Sequence, residues 1–214
     1  MNACCEKIIR STEMQTLLGI LQIADEEAYK HSLKVAKLVE QCIFEMEKRN
    51  ELEWSNEECE RILQGALLHD IGKAYLPFGL QHNSKPLNDY ERSILTMHPI
   101  LGCEAIMGGA NKQESAFGKI VDSIILMHHA NADGSGYPNF NDQSFDKNNV
   151  PDYVWLVSYA DRFAGMTMQR TYKKAMNYSD AWLALTNEIA KEKLPYCYSS
   201  IFKVVIQKES LVAV

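Results

Sequence analysis

Apolar residues recur at spacings of three and four positions along almost the whole chain, and this periodicity is typical of amphipathic α-helices rather than strands. The stretch 25–48 shows it most completely, with apolar side chains at Val35, Leu38, Val39, Cys42, Ile43 and Met46. These positions form one face of a helix, which must be buried against other helices. No internal repeat and no linker rich in Pro, Gly or Ser interrupts the pattern. The sequence therefore predicts a single all-α domain.

The same periodicity predicts further helices at about 56–69, 88–108, 115–129, 152–168 and 179–194. Asn88 suits the N-cap of its helix, because Glu91 follows three residues later as in a capping box. Two segments, 77–86 and 131–151, are expected to be surface loops, since turn-forming residues separate them from the periodic stretches. The end of the chain after Tyr198 fits either a helix or a strand.

Charge and hydropathy argue against two classes of function. The 214 residues carry 28 acidic and 22 basic side chains, a formal net charge of −6, whereas proteins that bind duplex nucleic acid usually carry a basic excess. No apolar stretch approaches the ~20 residues that a membrane-spanning helix needs. Charges stand where a signal peptide would have its apolar run, and the six cysteines form no CxxC pair. We therefore expect a cytoplasmic protein that binds neither a membrane nor duplex nucleic acid.

Ionisable residues fall on apolar helix faces or at helix ends, where an isolated imidazole or carboxylate would be costly to bury. His31 lies four residues before Val35, and His128 lies four residues after Ile124. A single histidine of this kind is more often a hydrogen-bonded core residue than a ligand. Here, five of the six histidines and three carboxylates share the placement: Glu27, His31, His69, Asp70, His98, His128, His129 and Asp161. A shared metal centre accounts for all of them together.

The donor types narrow the choice of metal. Imidazole and carboxylate ligands without thiolate suit iron, manganese, zinc or cobalt. Eight candidate ligands are too many for one ion, so two or three ions are expected, with a carboxylate such as Asp70 bridging them. Two metal ions about 3.5–4 Å apart are a recurrent arrangement for the hydrolysis of phosphoesters. Bound cations would also allow an acidic protein to attract an anionic substrate.

Several of these residues belong to short segments in a characteristic order. They are HDIGK from His69 to Lys73, HPxxG at His98, HHANADGSGYP from His128, and ADRF at Asp161. Together they resemble the HD-GYP branch of the HD phosphohydrolase superfamily. The resemblance implies a helical core, two or three divalent metal ions and the opening of cyclic dinucleotides, chiefly cyclic di-GMP, in bacterial signalling. Iron or manganese would be the expected metal, with zinc, cobalt, nickel or magnesium as alternatives.

The resemblance spans most of the chain. We therefore expect an HD-GYP-like catalytic domain at 25–176, an N-terminal helical extension at 1–24 and a C-terminal helical extension at 177–214 packed on the core. The segment 1–24 is too short for a sensor domain, so regulation is expected from expression, metal supply, redox state or a protein partner. A homodimer is also a possible assembly.

The resemblance also implies roles for individual residues. The eight residues named above would be metal ligands, although Glu27 could instead be a hydrogen-bond partner of His31. Asp70 would bridge metals that share the attacking hydroxide, and Lys73 would help to neutralise charge developing on the scissile phosphate. The residues expected to bind substrate, together with Lys73, are Gly136, Tyr137, Arg170 and Lys173.

Departures from the family pattern lie on the substrate side. Residues 130–132 are Ala, Asn and Ala, where the family usually has bulkier, charged or aromatic residues. The segment 139–151 is longer than in the family and lacks its glycine turn. The segment 73–86 lacks a glycine that the family usually has after Lys-Pro. Two other functions therefore remain open beside cyclic-dinucleotide hydrolysis. One is an HD-type phosphohydrolase acting on another nucleotide, and the other is a non-catalytic effector that binds a nucleotide.

Overall fold

The computed structural model describes residues 3–81, 86–107, 115–138, 150–169 and 174–212. Two 3₁₀ helices lie among them, at Ile71–Tyr75 and Tyr196–Tyr198. The described α-helices are α1 (Ala3–Ile9), α2 (Thr12–Ala24), α3 (Glu26–Lys48), α4 (Asn56–Leu68), α5 (Phe78–Gln81), α6 (Asp89–Leu95), α7 (His98–Met107), α8 (Lys119–Met127), α9 (Asp152–Thr167), α10 (Tyr178–Ala190) and α11 (Ser199–Val212). The predicted all-α fold is confirmed, and the segment after Tyr198 is helical as far as Val212.

The long helix α3 organises the packing. Its apolar face contacts α2, α4, α9 and α11, while α4 also packs against α8, and the 71–75 helix packs against α2 and α7. Aromatic rings join α9 to α11: Phe202 lies 5.6 Å from Tyr159 and 5.7 Å from Phe163, measured between ring centroids. None of the described helices is both long and apolar enough to cross a lipid bilayer.

Side-chain caps define where helices begin. The predicted capping box at Asn88 is present: its side chain accepts from the N–H of Glu91 at 2.9 Å, and the Glu91 carboxylate accepts from the N–H of Asn88 at 2.8 Å. Ser55 and Glu58 form the same arrangement at the start of α4. Each box satisfies N–H groups that have no partner within the helix.

The continuous helix predicted at 88–108 is instead two helices, α6 and α7, and Pro99 explains the break. A helix running through this point would need the N–H of residue 99 to bond the carbonyl of Leu95, and proline has no N–H. The ring of His98 takes that place, with Nδ1 lying 2.8 Å from the Leu95 oxygen. The break therefore positions a predicted metal ligand.

Candidate metal centre

The helical core brings seven of the predicted ligands to one place. Each comes from a helix or from a helix end: His31 on α3, His69 and Asp70 at the end of α4, His98 at the start of α7, His128 and His129 after α8, and Asp161 on α9. Six of these residues are buried, and His129 is partly exposed. Their burial explains why polar residues interrupt apolar helix faces.

The seven residues form two groups. Asp70, His98, His128 and His129 each offer one ligand atom, and these four atoms lie within 4.8 Å of one another. The second group contains His31, His69 and Asp161 and meets the same distance limit. Each group provides enough nitrogen and oxygen donors for an ion that prefers imidazole and carboxylate ligands.

Asp70 lies between the two groups. Its Oδ1 atom is 3.3 Å from Nε2 of His98, in the first group. Its Oδ2 atom is 3.4 Å from Nε2 of His69, in the second group. The two oxygens of one carboxylate thus face different sets of ligands, which is the arrangement required of a bridging carboxylate.

Backbone carbonyls orient three of the imidazoles. Nδ1 of His69 lies 2.8 Å from the oxygen of Ala66, three residues earlier. His98 and His128 use the carbonyls three residues before them in the same way, at 2.8 and 2.9 Å. A ring that donates its Nδ1–H to a carbonyl has Nε2 free as an acceptor, so this tautomer directs the lone pair of Nε2 towards the centre.

The second group is linked across the fold. His31 Nε2 lies 2.8 Å from Asp161 Oδ1, connecting α3 to α9. Nδ1 of His31, Nε2 of His69 and Oδ1 of Asp70 are buried without a hydrogen-bond partner. Buried polar atoms without partners are destabilising, and metal coordination would satisfy at least the last two of them. The donor set therefore fits divalent metal ions.

Burial keeps most of the imidazoles neutral. It lowers the pKa of His98 to about 4 and the pKa of His129 to about 3, and it also lowers the pKa values of His31 and His128. For His69, burial also acts to lower the pKa, but the Asp70 carboxylate together with Asp161 and the Ala66 carbonyl raises it overall. Neutral imidazole is the form that binds metals.

The two aspartates remain ionised. Burial alone would raise the pKa of Asp70, but the Lys73 ammonium and the His69 ring outweigh it and hold that pKa well below its usual range. Burial would also raise the pKa of Asp161, but the hydrogen bond from His31 together with the His129 and His69 rings holds that pKa well below its usual range. The centre therefore holds two carboxylates in the charge state required to bind cations.

Lys73 lies beside the centre, as predicted. Its Nζ atom is 2.5 Å from Oδ2 of Asp70, three residues earlier, and 16% of its side chain is exposed. The intervening Gly72 packs against α7, where a Cβ atom would come within 1.8 Å of the His98 backbone oxygen. This close approach holds the 71–75 helix, and with it Lys73, against the element that carries His98.

The GYP segment forms a short loop next to His129. Ala130 and Gly136 pair as an isolated antiparallel bridge, and Gly136 has φ of +103°, a conformation that favours glycine. The N–H of Tyr137 donates to the oxygen of His129 at 3.3 Å. The Tyr137 ring lies 4.5 Å from the His129 ring and 6.0 Å from the His98 ring, between centroids. The Tyr137 side chain therefore lines the site.

The roles of three other predicted site residues stay predictions. Glu27 is exposed and belongs to neither ligand group, so its assignment as a ligand stays a prediction. Arg170 and Lys173 lie outside the described residues, as does most of the 139–151 segment. Their roles in substrate binding also remain predictions.

The structure adds a residue that the sequence interpretation missed. Ser158 is fully buried on α9, and its hydroxyl donates to the carbonyl of His128 at 2.7 Å. It thereby fixes the backbone of the His128–His129 pair. Its position three residues before Asp161, on the same apolar face, was an available signal.

The fold and the site together define the class: a helical domain whose core holds histidine and aspartate side chains suited to divalent metal ions. A sequence profile of the HD domain matches residues 15–193, and the chain belongs to this family. The predicted resemblance to HD phosphohydrolases is thereby confirmed. The match extends beyond the predicted catalytic segment 25–176 at both ends.

Named relatives agree with this family. The cyclic di-GMP phosphodiesterase response regulator RpfG of Xanthomonas campestris is 29% identical over 157 residues, covering 73% of this chain and 39% of RpfG. A cyclic di-GMP phosphodiesterase of Thermotoga maritima is 26% identical over 198 residues, covering 92% of this chain and 50% of that protein. The chain thus spans at most about half the length of these relatives.

A solved structure shares the fold. The HD domain of the L. monocytogenes phosphodiesterase PgpH superposes with a TM-score of 0.61 at 15% identity, covering 92% of this chain and 99% of that one. That domain has also been solved in complex with cyclic di-AMP. At this level of identity the similarity concerns the arrangement of helices.

Proposed function

We propose that this chain hydrolyses a phosphodiester bond of a cyclic dinucleotide, with cyclic di-GMP as the first candidate. The observation that carries the proposal is the position of Asp70, whose two oxygens face two ligand groups while Lys73 lies beside it. Relatives that are named as phosphodiesterases of cyclic di-GMP and 3′3′-cGAMP support the choice of substrate class.

The ligand assignment follows from the two groups. Asp70 would be shared by two ions. The first ion would also bind His98, His128 and His129, and the second would also bind His31, His69 and Asp161. Iron or manganese is the proposed metal, as the family resemblance implies, and imidazole and carboxylate donors without thiolate are compatible with either. When bound, such ions would activate water and stabilise negative charge on the phosphate.

The protein's own residues supply orientation and charge. Backbone carbonyls hold three imidazoles in position, so little reorganisation is needed when the site binds its ligands. Lys73 Nζ presents a positive charge next to Asp70, where it would stabilise charge that develops on the phosphate oxygens. Burial strengthens both effects because water screens charges less there.

The other proposed contacts concern the substrate side. Tyr137 would pack against the sugar or base of the dinucleotide, and Gly136 would allow the close approach of the loop to His129. Arg170 and Lys173 would bind phosphate or guanine. Four further parts of the proposal are predictions. They are a third metal ion at Glu27, a cytoplasmic location, a role in bacterial signalling, and a homodimer or regulatory protein partner.

The decisive experiment is product analysis with metal-reconstituted protein. The chain would be stripped of metal, reloaded anaerobically with iron or manganese, and incubated with cyclic di-GMP, 3′3′-cGAMP or cyclic di-AMP. Asp70→Asn would remove the shared charge, and Asp152→Asn, an exposed aspartate at the start of α9, serves as the matched control. We expect hydrolysis by the wild type and the control but not by Asp70→Asn.

The other outcomes distinguish the alternatives. Metal-loaded protein that leaves all three cyclic dinucleotides intact would refute the proposal. In that case, turnover of a linear or guanosine polyphosphate nucleotide would identify another phosphohydrolase. Binding of a cyclic dinucleotide without turnover would identify an effector.

A further inference from the structure

The end of α10 and the residues after it contact the loop that carries Tyr137. Nζ of Lys193 donates to Asp133 at 2.6 Å and to the hydroxyl of Ser135 at 2.5 Å. In the opposite direction, the N–H of Ala132 donates to the backbone oxygen of Lys193 at 3.1 Å. These contacts join two segments that lie about sixty residues apart in the chain.

Arg162 contacts the same loop from α9. Its Nη2 atom donates to Oδ1 of Asn131 at 2.6 Å and to the oxygen of Ala130 at 3.3 Å. Its Nη1 atom donates to Glu188 on α10 at 3.0 Å. The Arg162 side chain is 17% exposed, so this guanidinium bridges α9, α10 and the loop in a largely buried setting.

The loop itself is a compact turn. The N–H of Asn131 donates to the oxygen of Ser135 at 3.0 Å, and Asp133 accepts from both the N–H and the hydroxyl of Ser135. Both glycines within it have positive φ, +78° at Gly134 and +103° at Gly136. Glycines allow this conformation, but they also increase the backbone entropy that is lost when the loop becomes ordered.

We infer that Arg162 and Lys193 are positioning residues that hold the 130–137 loop so that Tyr137 lies against His129 in the substrate site. The inference rests on the proposed function, which it deepens. Neither side chain belongs to the ligand groups. Both side chains contact the loop, and the loop positions the Tyr137 ring, whose centroid lies 4.5 Å from that of the His129 ring.

The same contacts involve residues that follow the predicted catalytic segment 25–176 and lie within the family match at 15–193. Glu188 and Lys193 come after that boundary, yet they bond Arg162 and the loop next to the metal centre. On this inference, the substrate site depends on Glu188 and Lys193 as well as on the segment 25–176.

The test compares loop order and kinetics in matched variants. Lys193→Met removes the ammonium but keeps an unbranched side chain, and Lys191→Met changes an exposed lysine two residues earlier as the control. Amide hydrogen exchange at 130–137 reports on the loop without any substrate. KM and kcat for the hydrolysed dinucleotide, together with bound metal, report on the site.

We expect Lys193→Met to speed exchange at 130–137 while α3 and α9 keep their protection and the metal content is unchanged. KM should rise about fivefold, as for the loss of a partly exposed ion pair, with a smaller change in kcat. Arg162→Met should raise KM by about tenfold or more, because a buried charged donor is lost. Arg162→Lys keeps the positive charge and should raise KM less than Arg162→Met does. It also provides a test if Arg162→Met does not fold.

A charge exchange tests the geometry directly. Lys193→Asp and Asp133→Lys should each raise KM, because each places like charges together, and the double variant should recover most of the loss. A purely structural contribution would change thermal stability without this reciprocal recovery in KM. Unchanged exchange at 130–137 in Lys193→Met, or KM equal to that of Lys191→Met, would overturn the inference.

The outcomes also separate this inference from the proposed function. If the wild type hydrolyses no cyclic dinucleotide, the proposed function fails, and exchange at 130–137 alone decides whether Lys193 orders the loop. If the wild type is active but the variants match the control, the proposed function stands and the positioning role is refuted.

Discussion

Gly72 packs directly against the backbone of His98: a Cβ atom at position 72 would lie 1.8 Å from the His98 oxygen and 2.5 Å from the nitrogen of Gly102. The contact joins the 71–75 helix, which carries Lys73, to the first turn of α7. Glycine is needed here because no side chain fits between the two backbones, rather than because of its φ angle.

Gly72→Ala is therefore expected to destabilise the fold and weaken metal binding, since the two backbones must move apart by more than an ångström. The cost in the free energy of unfolding should be at least the ~1–3 kcal/mol typical of overpacked cores. Gly19→Ala is the control, because a Cβ atom there meets nothing within 4 Å in the middle of α2. Its expected effect is a stabilisation of up to about 1 kcal/mol. Urea unfolding measures the stability of each variant, and metal analysis measures its bound metal. Equal stability and equal metal content in Gly72→Ala and Gly19→Ala would contradict the prediction.

His128→Ala and His31→Ala should separate the two ligand groups. Each substitution removes one imidazole from a different ligand group. Each variant should therefore lose the metal bound by that group and keep metal bound by the other group. Asp70→Asn should reduce binding at both positions, because its oxygens face both groups. Metal-to-protein ratios after reconstitution with manganese and gel filtration give the answer. Complete loss of metal in every variant would show that the two positions do not bind independently.

Lys73→Met should lower kcat while leaving the metal content close to that of the wild type. The ammonium lies beside Asp70 and is not a ligand, so its contribution is to stabilise charge during the reaction. Removal of one such group from a buried site costs about a hundredfold in kcat. Lys119→Met, an exposed lysine at the start of α8, is the matched control. A kcat like that of the control would remove Lys73 from the catalytic assignment.

The metal-free protein should lose stability as the pH falls from about 6.5 towards 4. Burial lowers the pKa of His98 to about 4 and that of His129 to about 3 in the folded state, whereas an exposed histidine titrates near 6.5. In this range the unfolded chain therefore binds more protons than the folded one, and acid favours unfolding. His69, whose pKa is raised, is protonated in both states over most of this range, so its effect on stability falls at higher pH.

The slope of this dependence can be measured. Each neutral buried imidazole contributes at most about 1.4 kcal/mol per pH unit to the free energy of unfolding. Urea titrations of metal-free protein at several pH values should therefore show that the free energy of unfolding increases with pH. His98→Asn should make this slope smaller by the contribution of one imidazole. A stability that does not change between pH 7 and pH 5 would show that these imidazoles are not buried in the neutral form.

The helices and most of the ligands follow from local sequence. Spacings of three and four determine which residues share a helix face, so His31, His128 and Asp161 could be assigned to buried faces before any helix was placed in space. The Asn88–Glu91 cap is equally local. The break at Pro99 was missed because the apolar periodicity continues across it, although proline's missing N–H is itself a local signal.

Contacts between distant segments were decided by tertiary packing. Local spacing gives the direction of a side chain around its own helix axis, but the distance between two helices depends on how residues from the whole chain fill the core. For this reason the sequence alone predicted seven ligands that the structure brings together. Only the folded structure showed that these ligands form two groups with Asp70 between them, and that Lys193 contacts Asp133.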